Sequence, residues 1–334
     1  MADNAHSPQV KLALQHEREG RESEAVKVLD AAAAAGDAQA QLLLAQRLIW
    51  QPRTRPRALK LVQQAAQQAN VDALHFAAVI AAAGVGAAPD WRKAMRFLRK
   101  AAERGSTRAR RQRAAIGAGF DLEHWLQAPA AEMQFESPRI GVVRRFLPAP
   151  MCAWLIESAK PQLKPSLVTM GSSGASELAN VRTNMGVFVN LINTDIVLLL
   201  AQARLGAVLG VQAVQYENPN ILRYEPGQEF KPHYDALEPE KIGYHEELSR
   251  HGQRIATFLI YLNDEFEGGE TSFPLLGWNF KGRTGDALFF WNVSREGEFE
   301  RNLRHAGLPP TSGEKWLFSQ WVRNKPVSSV RAPV

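Results

Sequence analysis

The chain has 334 residues, 45% of them hydrophobic, with 40 Lys plus Arg against 34 Asp plus Glu and a formal net charge of +6. That length suffices for two domains with cores of their own, and no run approaches the ~20 consecutive apolar residues of a membrane span. The start, "MADNAHSPQVKLALQHEREG", has no basic segment followed by an apolar core, as a secretory leader would, so the expected compartment is cytoplasmic. The single cysteine, Cys152, excludes an internal disulfide and a thiolate cage for metal; its helical spacing among apolar residues in "PAPMCAWLIESA" predicts a packed thiol.

The first third repeats itself. Aligning "AVKVLDAAAAAGDAQA" from Ala25, "ALKLVQQAAQQANVDA" from Ala58 and "AMRFLRKAAERGSTRA" from Ala94 superposes alanines at offsets 0, 7, 8 and 15, with Gly or Ala at offset 11. Small residues at fixed positions, in units starting 33 and 36 residues apart, predict stacked helical hairpins over residues 1–127. Charge is uneven along this region. Trp91 to Arg113 holds ten basic residues and one acid, a patch suited to nucleic acid, an acidic protein or anionic lipid. The plainer reading is a solvated helix face, and nucleic acid is not favoured.

Turn formers break the helical period in "LEHWLQAPAAEMQFESPRIG", Leu122 to Gly141, where the junction is placed. Beyond it, short stretches rich in Val, Ile, Phe and Tyr are bounded by Gly, Pro, Asn and Asp: "RIGVVRRFL", "NILRYEPGQEFKPHYD", "RIATFLIYLND", "ALFFW" and "KWLFSQWV". Two helical patterns interrupt them early, "PAPMCAWLIESAK" and "NTDIVLLLAQARLGAVLG". The expected fold is therefore multidomain: an all-α helical-repeat domain, then an α+β domain over 128–334 built as a double-stranded β-helix, or jelly roll.

Within "FKPHYDALEP" the residues His233 and Asp235 are two apart, which in a strand places both on one face. Alone they are weak; an exposed pair or a satisfied buried hydrogen bond is ordinary. A second strand-like segment, "NLRHAGLPPTSGEKWLFSQWVR", adds His305 and Lys315. Two histidines and one carboxylate can cap one face of an octahedron and leave three positions open. That donor set, without thiolate, suits Fe(II) rather than four-coordinate structural zinc. A 2-oxo acid could take two open positions and dioxygen the third, with Lys315 neutralising the distal carboxylate.

Four blocks in order, "RYEPGQEFKPHYD", "RIATFLIYLNDEFEGGETSFP", "GDALFFWNV" and "LRHAGLPPTSGEKWLFSQWVR", closely resemble the prolyl 4-hydroxylase family of Fe(II)- and 2-oxoglutarate-dependent dioxygenases, over about Pro138 to Val327. The first third resembles the Sel-one-like and tetratricopeptide repeat families, which implies a surface for protein partners. The dioxygenase resemblance implies that His233, Asp235 and His305 bind iron, that Lys315 pairs with 2-oxoglutarate assisted by Tyr224 and Thr271, and that Arg254 and Trp321 line the cleft for a peptide substrate. It implies Fe(II), 2-oxoglutarate as co-substrate and O2, with ascorbate as a further candidate cofactor. The family often shows Arg, any residue, Ser before the first core strand, whereas here Arg182 is followed by Thr183 and Asn184. "LVTMGSSGASELANVRTN" and "ALEPEKIGYHEELSRHGQ" have the composition of loops that close over substrate, and His245 and His251 in the latter face solvent on this reading. The implied activity is hydroxylation of a prolyl residue in a peptide or protein recruited partly by the repeats. Hydroxylation of a small molecule or another side chain, and an interaction protein with an oxygen- or iron-responsive domain, stay open.

Overall fold

A computed structural model of the chain describes residues 6–166 and 181–327. Its contacts divide it into two compact units, the first built on residues up to Ala114 together with Asn190–Leu199, the second on Ala115–Val189 and the chain from Leu200 on. The division expected at Gln127 therefore moves upstream. Its physical reason lies in the short helix Leu122–Trp125 (α8, following seven helices below): the Trp125 indole N–H donates to the Leu200 carbonyl at 2.9 Å and the Arg204 guanidinium covers its ring at 4.2 Å. Conversely, the Arg108 guanidinium donates to the Thr194 carbonyl at 3.1 Å and Gln112 Oε1 accepts from Ile196 N–H at 3.1 Å, holding 190–199 in the first unit.

The first unit consists of α1 (Pro8–Arg18), α2 (Glu22–Ala34), α3 (Ala38–Leu48), α4 (Arg55–Gln67), α5 (Val71–Ala83), α6 (Trp91–Glu103) and α7 (Thr107–Ile116). The alanines aligned in the sequence, Ala25, Ala32, Ala33 and Ala40 with their counterparts in the other two copies, are all buried. Side chains no larger than a methyl let backbones pack closely. Offset 11 is the left-handed turn between the two helices of each hairpin: φ is +94° at Gly36, +59° at Ala69 and +98° at Gly105. The next residue caps the second helix each time, with Asp37, Asn70 and Ser106 accepting from backbone N–H groups three residues on.

The second unit begins with α8, followed by β1 (Glu132–Glu136), β2 (Arg139–Val143), α9 (Ala149–Ala159), β3 (Lys164–Pro165), β4 (Met185–Phe188) and α10 (Ile196–Leu209), whose last ten residues lie in this unit. Then come β5 (Asn220–Tyr224), β6 (Phe230–His233), α11 (His245–His251), β7 (Arg254–Tyr261), β8 (Phe266–Gly268), β9 (Thr271–Phe273) and β10 (Trp278–Phe280). The chain finishes with β11 (Ala287–Trp291), β12 (His305–Gly307), β13 (Pro310–Gly313) and β14 (Lys315–Arg323). An eight-stranded sheet in the order β1-β2-β11-β7-β14-β5-β4-β3 and a four-stranded sheet, β10-β9-β12-β6, share one core. Ile140, Leu222, Leu259, Leu288 and Leu317 of the large sheet meet Phe273 and Phe280 of the small one. This is the double-sheet domain expected. Cys152 on α9 is buried, and burial pushes its thiol up to about 12. No helix among the described residues is long and apolar enough to cross a membrane.

Candidate active site

Both histidines come from the small sheet, where β12 pairs antiparallel with β6 and places His305 directly opposite His233. Pro232 has no N–H to donate, which suits β6 to its place at the sheet edge. The strand ends at His233, so Asp235 stands in the bend beyond it rather than in the strand. It nonetheless joins the pair: Oδ1 lies 3.5 Å from His233 Nε2 and Oδ2 3.4 Å from His305 Nε2. One donor atom from each of the three lies within 4.8 Å of the others.

The surroundings select the protonation state. Nδ1 of His233 sits 2.8 Å from the Lys231 carbonyl and Nδ1 of His305 3.0 Å from the Leu303 carbonyl. A carbonyl only accepts, so each Nδ1 carries a proton, and Nε2 is the nitrogen each ring turns toward Asp235 and offers to a metal. Asp235 Oδ2 accepts from the Thr257 hydroxyl at 2.7 Å, and Thr257 in turn accepts from the Asn292 amide at 3.0 Å. Burial raises the Asp235 carboxyl, but His305 and His233 beside it hold it well below its ordinary range. Burial, reinforced by His305, pushes His233 down. Phe230 stacks on the His233 ring at 3.5 Å between centroids and is covered on its side by the Arg182 guanidinium at 4.6 Å.

From this cluster a pocket runs past Tyr224, Thr271, Leu259 and Trp321 to Lys315. Lys315 opens β14 opposite Tyr224 of β5, fully buried. Its stem passes the bare Cα of Gly269, where a Cβ would lie 3.3 Å from it. Nζ stands 5.3 Å from the Tyr224 ring and 5.2 Å from that of Tyr261, with no hydrogen-bond partner. Burial lowers this ammonium to about 7, against a weaker pull from Glu270. Burial also pushes the Tyr224 phenol up. Tyr261 was not singled out in the sequence, where it is one more aromatic in an apolar strand. Its hydroxyl donates to the Phe280 carbonyl at 2.8 Å, so it must accept from the Thr271 hydroxyl 2.9 Å away. Thr271 thus lines the pocket with its hydroxyl proton turned toward Tyr261.

Other expected residues fall differently. Trp321 lines the pocket with its indole N–H buried and unbonded. Arg254 does not line it: the guanidinium pairs with Glu217 at 2.7 and 3.1 Å and lies 3.7 Å over the Trp321 ring. Glu217, driven up by burial but held down to about 2 by Arg254 and Arg323, pulls Arg254 into a buried ionic network. Arg182 lines the pocket, bonded to Asn184 at 2.8 Å, so the departure after Arg182 supplies its partner. His245 is exposed and His251 half-buried on α11, and neither belongs to the ligand cluster. Most of the serine-rich loop, residues 167–180, lies outside the described residues.

The donor set and the pocket fit an iron and a dicarboxylate: two imidazole lone pairs and one carboxylate converge, and a buried ammonium without an anion faces the same space. Such a centre, set between two sheets, defines a class, the mononuclear iron oxygenases that use an oxo-acid co-substrate. A family model described as "2OG-Fe(II) oxygenase superfamily" matches residues 219–323. Prolyl 4-hydroxylase 1 of Arabidopsis thaliana is 35% identical over 206 residues, 58% of this chain and 71% of that protein. Probable prolyl 4-hydroxylase 3 of the same plant is 32% identical over 225 residues, 62% of this chain and 75% of that one. A solved structure, the viral collagen prolyl hydroxylase of Paramecium Bursaria Chlorella virus-1 with 2OG, is 26% identical at a TM-score of 0.43, over 55% of this chain and 95% of that one. The chain belongs to the prolyl 4-hydroxylase family of the 2OG-Fe(II) oxygenases.

Proposed function

We propose that this protein is an Fe(II)- and 2-oxoglutarate-dependent hydroxylase of prolyl residues in a polypeptide. The observation that carries the reading is the buried, unpartnered Lys315 ammonium in the same pocket as the His233, Asp235 and His305 donors. His233, Asp235 and His305 would hold the iron, and Lys315 with Tyr224 and Thr271 the far carboxylate of 2-oxoglutarate. When bound, the metal and oxo acid supply the oxygen-activating chemistry that places a hydroxyl on a C–H bond. The chain's own task is positioning. The Lys231 and Leu303 carbonyls keep both imidazoles in the metal-binding tautomer, and Thr257 steadies the carboxylate through Oδ2. The apolar walls from Leu222, Leu259 and Leu317 limit water around Lys315, which strengthens its attraction for a carboxylate. A prolyl substrate is supported by the relatives' stated activity and by family membership.

The test has two stages. Anaerobic addition of Fe(II) and 2-oxoglutarate should give a visible charge-transfer band that is absent from His233→Ala and His305→Ala. Incubation of the active enzyme with proline-containing peptides under oxygen should then add one oxygen atom to proline, read by peptide mass spectrometry. A band without any modified proline would refute the prolyl reading while leaving the metal centre intact.

A further inference from the structure

The three hairpins provide an internal control for surface charge. On α6 and its C-cap, Lys93, Arg96, Lys100 and Arg104 follow at spacings of three, four and four, which aligns them in one stripe about 16 Å long. All four are exposed, and no ion pair of theirs is found among the described residues. The one acid of the helix, Glu103, faces Arg99 at 3.7 Å, outside the stripe. The matching positions of the first copy are Glu24, Lys27, Ala31 and Ala35, and those of the second Arg57, Lys60, Gln64 and Gln68, with Arg57 paired to Asp30. The buried alanines are common to all three copies, and so is a cation at the Arg96 position, whereas cations at the Lys100 and Arg104 positions occur in the third copy alone. Packing therefore does not require them. Like charges three and four apart repel one another along a helix, so this helix carries a repulsion that its fold does not relieve.

We propose that this stripe docks an acidic segment of a polypeptide partner. Carboxylates on one face of an extended chain recur about every 7 Å, against steps of about 4.5 to 6 Å between successive cations, a difference that long, flexible Lys and Arg stems take up. The apolar face of α6 is committed to the core through Ala94, Leu98, Ala101 and Ala102, so the helix has none to insert into a lipid layer. A nucleic acid strand gains from bases stacked on aromatic rings, and the fully exposed side chains of the stripe are all cations, Phe97 beside them being half-buried.

The proposal stands apart from the hydroxylase reading, because binding can be measured without iron or 2-oxoglutarate. A fluorescein-labelled peptide of twelve alternating Glu and Ser residues is titrated with the full-length protein, and anisotropy is followed from about 50 to about 200 mM salt. Wild type should bind with an affinity that falls as salt rises. K93Q/R96Q/K100Q/R104Q should lose at least about tenfold, or 1.4 kcal/mol, with an unchanged circular dichroism spectrum, while R57Q/K60Q in the second copy should bind as wild type does. Equal binding by wild type and the quadruple variant would overturn the stripe as the site. Displacement of the peptide by duplex or single-stranded nucleic acid, or by phosphatidylserine vesicles, at lower charge concentration than by unlabelled peptide would overturn the partner class.

Discussion

A buried ammonium with no hydrogen-bond partner is a standing cost to the ligand-free fold, and Lys315 exposes that cost to measurement. Its folded value of about 7 lies below the ordinary lysine value of 10.5, so between these pH values the unfolded chain binds more protons. Stability of the ligand-free protein should therefore rise with pH across that window, the penalty being fully present below pH 7. Lys315→Met should stabilise the ligand-free protein by roughly 1–4 kcal/mol while weakening 2-oxoglutarate binding by about 2–5 kcal/mol. Thermal melts with and without the oxo acid would read both, and a variant that melts lower would contradict the assignment. Because the bound dianion needs the charged amine, 2-oxoglutarate binding at pH 8 should take up protons. Calorimetry in buffers of different ionisation heat would detect that uptake. At this scale the three candidate metal donors and Lys315 stand out in the sequence, since their side chains are chemically unusual in apolar strands. Tyr261, Thr257 and Asn292 were not. Their roles depend on which strands become neighbours, and Thr257 meets Asp235 across 22 residues of sequence.

Among elements, the repeat was legible in detail because its signal is steric: a buried alanine is replaceable by little else where helices meet closely. Offset 11 is Gly in two copies and Ala69 in the other, where the backbone is left-handed with a side chain present. Ala69→Gly should stabilise the protein by about 0.5–1 kcal/mol, and Gly36→Ala or Gly105→Ala should destabilise it by about 1 kcal/mol each. Nothing lies within 4 Å of a Cβ built at Gly36 or Gly105, so the cost there is conformational rather than a clash, and denaturant midpoints would measure it. Strand ends were less legible. The period-two argument put Asp235 inside a strand that stops at His233, and it succeeded only because the following bend returns the carboxylate to the histidines. The short strands β8, β9, β10, β12 and β13 hold three or four residues each, too few for alternation to register, and they depend on tertiary pairing.

For the whole molecule, composition separated a helical part from a stranded part but could not show that Asn190–Leu199 belongs with the helices. Those residues follow the first core strands in sequence, and their allegiance rests on Arg108 and Gln112, more than 80 residues earlier. A fragment of residues 1–127 lacks this segment. It should expose apolar surface, bind a hydrophobic dye and self-associate where the intact chain does not, and a fragment that stays monomeric and dye-free would count against the division. Modularity follows from the interchangeable alanines that seat each hairpin. The array is extensible: a fourth copy spliced between α5 and α6 would find matching seats on both sides, and exchanging the copy that bears the stripe should retarget the protein without retooling its chemistry.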